Sequence, residues 1–253
     1  MKWRYVAATA TGTSHLKTGR GCDDRAAGSI VEHRTLIAAV ADGAGSAQHA
    51  ARGAELAVVA ALESLTRDAL HQTADYEHRV GVAATAAREA IFRAADEAGA
   101  PAREFACTLL LVALGPDGGA ALQIGDGAII VGDDGADWSW VFWPQHGEYA
   151  NTTRFVTDDD APDVWMVGAL NASIVDVALF SDGLERLALE HASQSAHAPF
   201  FRPLFRALAA VEHETEQLQT ALETFLHSPD VTARTDDDTS LVLATLRTGT
   251  AVP

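Results

Sequence analysis

Apolar positions along this chain follow two periods, and the change from one to the other marks out the elements. Apolar residues recur at Ala50, Ala54, Ala57, Val58, Ala61, Leu62 and Leu65, with Gln48, Arg52, Glu55 and Glu63 on the other side. That spacing predicts a helix whose N-cap is Ser46. A second helix is predicted over 75–98, with Val80, Ala84, Ala87, Ile91, Ala94 and Ala98 on one face and Gly99 and Pro101 closing it. The two predict an antiparallel helical layer. Elsewhere the apolar runs are short, which predicts strands over 3–10, 26–32, 36–41, 105–114, 120–124, 128–131, 138–143, 165–167, 173–180 and 240–246. Residues 105–143 read as an antiparallel meander turning at Asp117-Gly118, Asp126-Gly127 and Asp133-Asp134-Gly135. The expected class is therefore α+β rather than a doubly wound parallel sheet. Residues 11–25 read as a charged loop, and 149–162, with Asn151, Thr152 and Thr153, as a polar surface segment. Residues 184–190 read as a helix, and 202–228 as one or two helices with Leu204, Leu208, Val211, Leu218, Leu222 and Phe225 inward.

No linker-like stretch divides the 253 residues, so one domain over 1–253 is expected, and 48% hydrophobic residues supply its core. No apolar run approaches membrane-spanning length, and Met-Lys-Trp-Arg-Tyr at the start is no secretory signal. A cytoplasmic protein without membrane contact follows as the expectation. With 35 acidic against 18 basic side chains the net charge is −17, which argues against binding nucleic acid. Cys22 and Cys107 fit neither a disulfide framework nor a zinc motif and read as free thiols.

The acidic residues change the picture most. Asp42, Asp126 and Asp182 each follow an apolar strand, while Asp24 and Asp237 each precede one. Singly, each reads as a turn or cap. Carboxylates gathered at one sheet rim repel unless a cation lies between them, and all-oxygen ligation selects Mg²⁺ or Mn²⁺. At Asp42-Gly43-Ala44-Gly45 a strand runs into a tight turn, and the missing Cβ atoms of Gly43 and Gly45 permit close backbone approach.

Cys22-Asp23-Asp24, Val40-Ala41-Asp42-Gly43, Thr108, Ile124-Gly125-Asp126, Ser181-Asp182-Gly183 and Asp237-Asp238-Thr239-Ser240-Leu241 occur in this order. Over about residues 11–246 the chain thereby resembles the metal-dependent Ser/Thr protein phosphatases of the 2C type, a bacterial subgroup most of all. The resemblance implies a four-layer α-β-β-α sandwich, two antiparallel sheets flanked by helices, with a binuclear Mn²⁺ or Mg²⁺ site at one edge. It implies that Asp42 bridges both ions, that Gly43 offers its carbonyl to one, and that Asp182 and Asp237 complete the first. Asp23 and Asp24 correspond to the acidic pair at the second ion, and Asp126 with Asp182 to the holders of a third, weaker one. The implied reaction is hydrolysis of phosphoserine and phosphothreonine in proteins by a hydroxide bridging the metals, with no covalent phosphoenzyme. The implied partners are phosphorylated substrates of a Ser/Thr kinase, met by a monomer.

Departures from the family pattern leave roles to fill. Ala44 stands where many members carry the His that protonates the leaving oxygen, so that proton is expected from metal-bound water or from another side chain, with His15 the candidate general acid. The phosphate-binding Arg has different spacing, which makes Arg20 the first candidate and His15 or Lys17 the next, and Asp23 replaces the commoner Glu or Gln. Ala44 also motivates an alternative, a non-catalytic module that binds phosphorylated partners or regulates a kinase. A dinucleotide reading of Gly43-Ala44-Gly45 fails at Gln48, where the third glycine is needed.

Overall fold

A strand covered on both faces has no polar side, and this explains the unbroken apolar runs. In the computed structural model, which describes residues 2–69, 75–133, 137–144, 153–210 and 215–247, two five-stranded antiparallel sheets lie face to face. In chain order the elements begin with β1 (Lys2–Ala10), α1 (Thr13–Thr18), β2 (Arg25–Val31), β3 (Thr35–Ala41), α2 (Ala50–Ala69) and α3 (Tyr76–Ala98). There follow β4 (Leu109–Gly115), β5 (Gly118–Ile124), β6 (Ala128–Asp133), β7 (Ser139–Trp140), α4 (Ala161–Val164), β8 (Met166–Leu170) and β9 (Ile174–Phe180). The remainder is α5 (Glu185–Ala188), β10 (Leu189–Glu190), β11 (Ser195–Ala196), α6 (Ala198–Ala210), α7 (Thr215–Leu226), α8 (Pro229–Thr232) and β12 (Thr239–Arg247).

One sheet has the order β1-β12-β9-β6-β7, the other β2-β3-β4-β5-β8, and β10 pairs with β11 apart from both. Alternate residues of each strand serve different layers. Leu36, Ala38 and Val40 of β3 meet Val177, Leu179 and Val242 between the sheets. Ile37 and Ala39 turn the other way, onto Ala54, Ala57 and Ala61 of α2 and Ala84 and Ala87 of α3. On the far side Phe180 and Leu241 pack on Phe201 and Phe205 of α6. Alanine lets one helical layer sit close to its sheet, and phenylalanine fills the wider space under the other. This is the four-layer α-β-β-α sandwich expected from the resemblance.

Local expectations are corrected at several points. The charged loop over 11–25 contains the short helix α1, ended by Gly19 in the left-handed conformation. Ser46 caps nothing: α2 starts at Ala50, because the Ala44 and His49 N–H groups are taken by the carbonyls of Ala106 and Glu104. Asp75 does cap α3, accepting from the His78 N–H at 3.0 Å. Residues 102–105 form a 3₁₀ turn rather than strand, so β4 begins at Leu109. The expected meander breaks at Asp126-Gly127, where the chain leaves one sheet at β5 and enters the other at β6. Strand structure within 138–143 is confined to Ser139–Trp140, and the helix expected over 184–190 stops at Ala188 before β10. The segment 202–228 holds two helices, α6 and α7. Val211, Asn151, Thr152 and the Asp134-Gly135 turn fall outside the described residues. Among the described residues no helix is long and apolar enough to cross a membrane.

Candidate metal centre

Strand register brings the distant aspartates to one end of the sandwich. Arg25 pairs with Ala41, so Asp24 before β2 and Asp42 after β3 face each other across a two-stranded end. In the other sheet Phe180 pairs with both Leu241 and Ala128, which brings the segments carrying Asp182, Asp238 and Asp126 together. Backbone contacts lock the two halves of this rim. A Cβ on Gly43 would lie 2.6 Å from the Asp23 carbonyl oxygen, and one on Gly183 would lie 2.0 Å from that of Asp238. Gly43 is therefore required by the chain's own close packing, whereas Gly45 faces open space and carries no such constraint. Thr108 fixes Asp42 from below: its hydroxyl accepts from the Asp42 N–H at 3.0 Å, and its own N–H donates to the Asp42 carbonyl at 2.8 Å.

The carboxylates of the rim differ in how they are satisfied. Asp24 is 6% exposed, and no donor meets either of its oxygens at full hydrogen-bond geometry, although the Ser181 and Ser240 hydroxyls lie near; Asp182 Oδ1 is buried and likewise lacks a well-formed bond. Burial pushes the Asp24 carboxyl up to about 7, with the Ser181 hydroxyl offsetting part of the effect and the Asp238 charge adding to it. Asp42 is driven well above the usual carboxylate range by burial and then by the charges of Asp24 and Asp182. Asp182 is raised to about 6 by burial and the neighbouring charge of Asp126. Asp237, more exposed, is raised by partial burial, against which the Asp238 N–H works at 2.9 Å. Each shift comes first from burial and then from neighbouring negative charge.

Such a donor set fits hard divalent cations. Buried carboxylate oxygens without a well-formed hydrogen bond, and their mutual repulsion, are what a cation would relieve, and oxygen-only ligation suits Mn²⁺ or Mg²⁺. Among the described residues no group of three or more His, Cys, Asp or Glu side chains is gathered closely enough to hold a metal ion, so the donors would have to draw together around one.

The other predicted residues take distinct places. Asp126 accepts from the Thr153 hydroxyl at 2.5 Å and faces Asp182. Asp23 is held by Arg20, whose Nη2 donates to Oδ2 at 2.6 Å while Nη1 donates to the Gly45 carbonyl at 3.1 Å. His15 lies on α1 with Nδ1 3.0 Å from Asp238 Oδ2 and Nε2 3.9 Å from Asp23 Oδ2. Cys22 is half-buried and Cys107 fully buried, both as free thiols.

Asp238 is the residue that sequence reasoning passed over. It is 3% exposed and accepts from the Gly12 and Asp23 N–H groups, each at 2.6 Å, besides its contact with His15. Strand alternation carries the signal: extended back from Val242 and Ser240, it assigns Asp238 to the inner face of β12 and Asp237 to the other.

Comparison with known proteins identifies the family and the fold. A family profile described as Protein phosphatase 2C matches residues 11–227. Serine/threonine-protein phosphatase 3 of Escherichia coli K12 is 37% identical over 250 residues, covering 96% of this chain and 98% of its own. Among solved structures, the S. agalactiae serine/threonine phosphatase superposes with a TM-score of 0.69 at 12% identity, covering 97% of this chain and 100% of that one. The catalytic domain of serine threonine protein phosphatase PstP, solved with two manganese ions, gives 0.61 at 17% identity, covering 96% and 98%. Such distant structures support the fold, and the family profile and the bacterial relative support more: this chain belongs to the protein phosphatase 2C family of serine/threonine protein phosphatases.

Proposed function

We propose that the rim carboxylates hold two divalent cations, Mn²⁺ or Mg²⁺, and that the protein hydrolyses phosphoserine and phosphothreonine in protein substrates there. The observation that carries this reading is the buried pair of Asp24 oxygens without a well-formed hydrogen bond, near Asp42 and Asp182, which are raised by burial first and by neighbouring carboxylates second. Asp42 would serve both ions, with the Gly43 carbonyl, Asp182 and Asp237 at one and Asp23 and Asp24 at the other. Asp126 and Asp182 would hold a third, weaker ion. Bound cations of this kind make water nucleophilic near neutral pH and offset charge on phosphoryl oxygens.

The chain's own groups supply the rest. Thr108 and the strand register keep Asp42 in place before any ion arrives. Arg20 spends two N–H groups on Asp23 and Gly45, and the guanidinium's remaining donors are available to phosphoryl oxygens at the mouth of the site. His15 is the proton donor: Asp238 holds Nδ1, which orients Nε2 toward the rim, where it would protonate the departing serine or threonine oxygen. The position of the absent histidine, Ala44, is thus covered from α1.

The same reading places the reaction in a single-domain monomer in the cytoplasm, acting on proteins phosphorylated by a Ser/Thr kinase. Hydrolysis of p-nitrophenyl phosphate tests it. Turnover should require Mn²⁺ or Mg²⁺ and stop with EDTA; turnover that persists in chelator would refute the metal-dependent reading.

A further inference from the structure

The cleft beside Asp182 and Asp237 has a volume of about 480 Å³ and is otherwise polar, with Arg186, Arg234 and Asp236 in its walls. Ala233 and Arg234 form its boundary with a second depression of about 610 Å³ between α5, α6, α7 and α8. This neighbour is more apolar: Leu187, Phe200, Leu204 and Phe225 line it with Pro199 and Pro203, and His197, Asp230 and Arg234 add polar groups. Its Leu204 and Phe225 are only partly covered by the described residues. A protein phosphatase must accommodate the polypeptide on either side of the phosphorylated residue, so the surface continuous with the rim is where flanking side chains come to rest. A third depression, of about 460 Å³, is lined by Glu32, Arg34, Asp75 and Asp117 at the β2–β3 and β4–β5 turns, the end of the sheet away from the rim, and cannot serve this purpose.

We propose that the apolar groove receives a large aliphatic or aromatic side chain of the substrate, so that the enzyme selects phosphopeptides carrying one near the phosphoresidue. The inference rests on the metal-dependent phosphatase reading above. A cleft of this volume is roughly 8 Å across, and an extended peptide advances about 3.4 Å per residue. The anchoring side chain therefore sits two to four positions from the phosphorylated residue along the peptide. Arg234, exposed on the shared wall, can donate to peptide carbonyls along the way.

A phosphoserine peptide with leucine placed in turn at the second, third and fourth positions on either side, compared with its alanine counterpart, tests the proposal in the Mn²⁺-loaded enzyme. At one position leucine should raise kcat/KM about tenfold or more, chiefly through KM. Leu204→Glu should bring that leucine-to-alanine ratio close to one. If leucine gains less than twofold everywhere while p-nitrophenyl phosphate is hydrolysed, the groove proposal is wrong and the phosphatase reading stands. If p-nitrophenyl phosphate is not hydrolysed, both fall. A leucine preference that survives Leu204→Glu overturns the assignment of the groove. So does a variant that converts a dimer to a monomer in sedimentation with selectivity intact, because the groove then holds a second copy. Should Leu204→Glu fail to fold, the wild-type peptide comparison decides alone.

Discussion

Asp238 lies buried at the rim with the Gly12 N–H, the Asp23 N–H and His15 all bonded to it, whereas Asp24 is buried at the same rim with neither oxygen in a well-formed bond. Around Asp238 the fold satisfies its own negative charge, tying α1 and the segment before β2 to the start of β12. Around Asp24, Asp42 and Asp182 the fold gathers negative charge and leaves it unanswered. On the proposed reading an aspartate in the first group belongs to the scaffold, and one in the second is placed to take a cation. Sequence adjacency does not separate them, since Asp23 and Asp24 are neighbours, as are Asp237 and Asp238. Hydrogen-bond satisfaction separates Asp24 from Asp238, while Asp23 and Asp237, each with one bonded oxygen, fall between the two.

The largest effect that would test this division is on turnover. Asp42→Asn should lower kcat on p-nitrophenyl phosphate on the order of a thousandfold, with circular dichroism unchanged. Next comes stability in metal-free protein, where the two groups should respond with opposite signs. Asp238→Ala strips three donors of their acceptor and should lose about 3 kcal/mol in urea unfolding, while Asp24→Asn removes a repelling charge and should unfold at higher urea than the parent. Equal losses in both variants would erase the distinction. A smaller effect is expected at His15, on the edge between the groups. His15→Ala should slow a phosphoserine peptide, whose alkoxide needs a proton, about tenfold or more, and should scarcely slow p-nitrophenyl phosphate, whose leaving group does not.

The smallest is pH-dependent. Asp24 and Asp182 are raised to about 7 and about 6, so their folded forms hold protons that the unfolded chain has already released near pH 4. Stability from these groups is fully present below that and is lost as pH rises toward 7. Metal-free protein should therefore melt several degrees lower at pH 7.5 than this pair would allow at pH 5, and Mn²⁺ should raise the melting temperature more at the higher pH, readable by scanning fluorimetry.

Much of this was legible in the residues. Strands buried on both faces announced themselves as unbroken apolar runs, and the helical stripe of α3, capped at Asp75 and closed at Gly99, was read nearly to its ends. The aspartates at strand ends could be picked out because strand ends are where a sheet exposes its rim. What escaped is what depends on partners distant in sequence. Nothing within 120–131 tells that the turn at Asp126-Gly127 changes sheets, because both strands look alike from inside. Ser46 looks like a cap until Ala106 and Glu104 claim the N–H groups around it. Asp237 and Asp238 look interchangeable until Gly12 and Asp23 dock on the second.

The central claim, that the unsatisfied carboxylates exist to hold cations, is tested most directly by titrating Mn²⁺ into chelator-stripped protein at pH 7.5 in a calorimeter. The account predicts two ions bound per chain, with one lost in Asp24→Asn and both retained in His15→Ala. Heats no greater than dilution, or an Asp24→Asn variant that binds as the parent does, would contradict it.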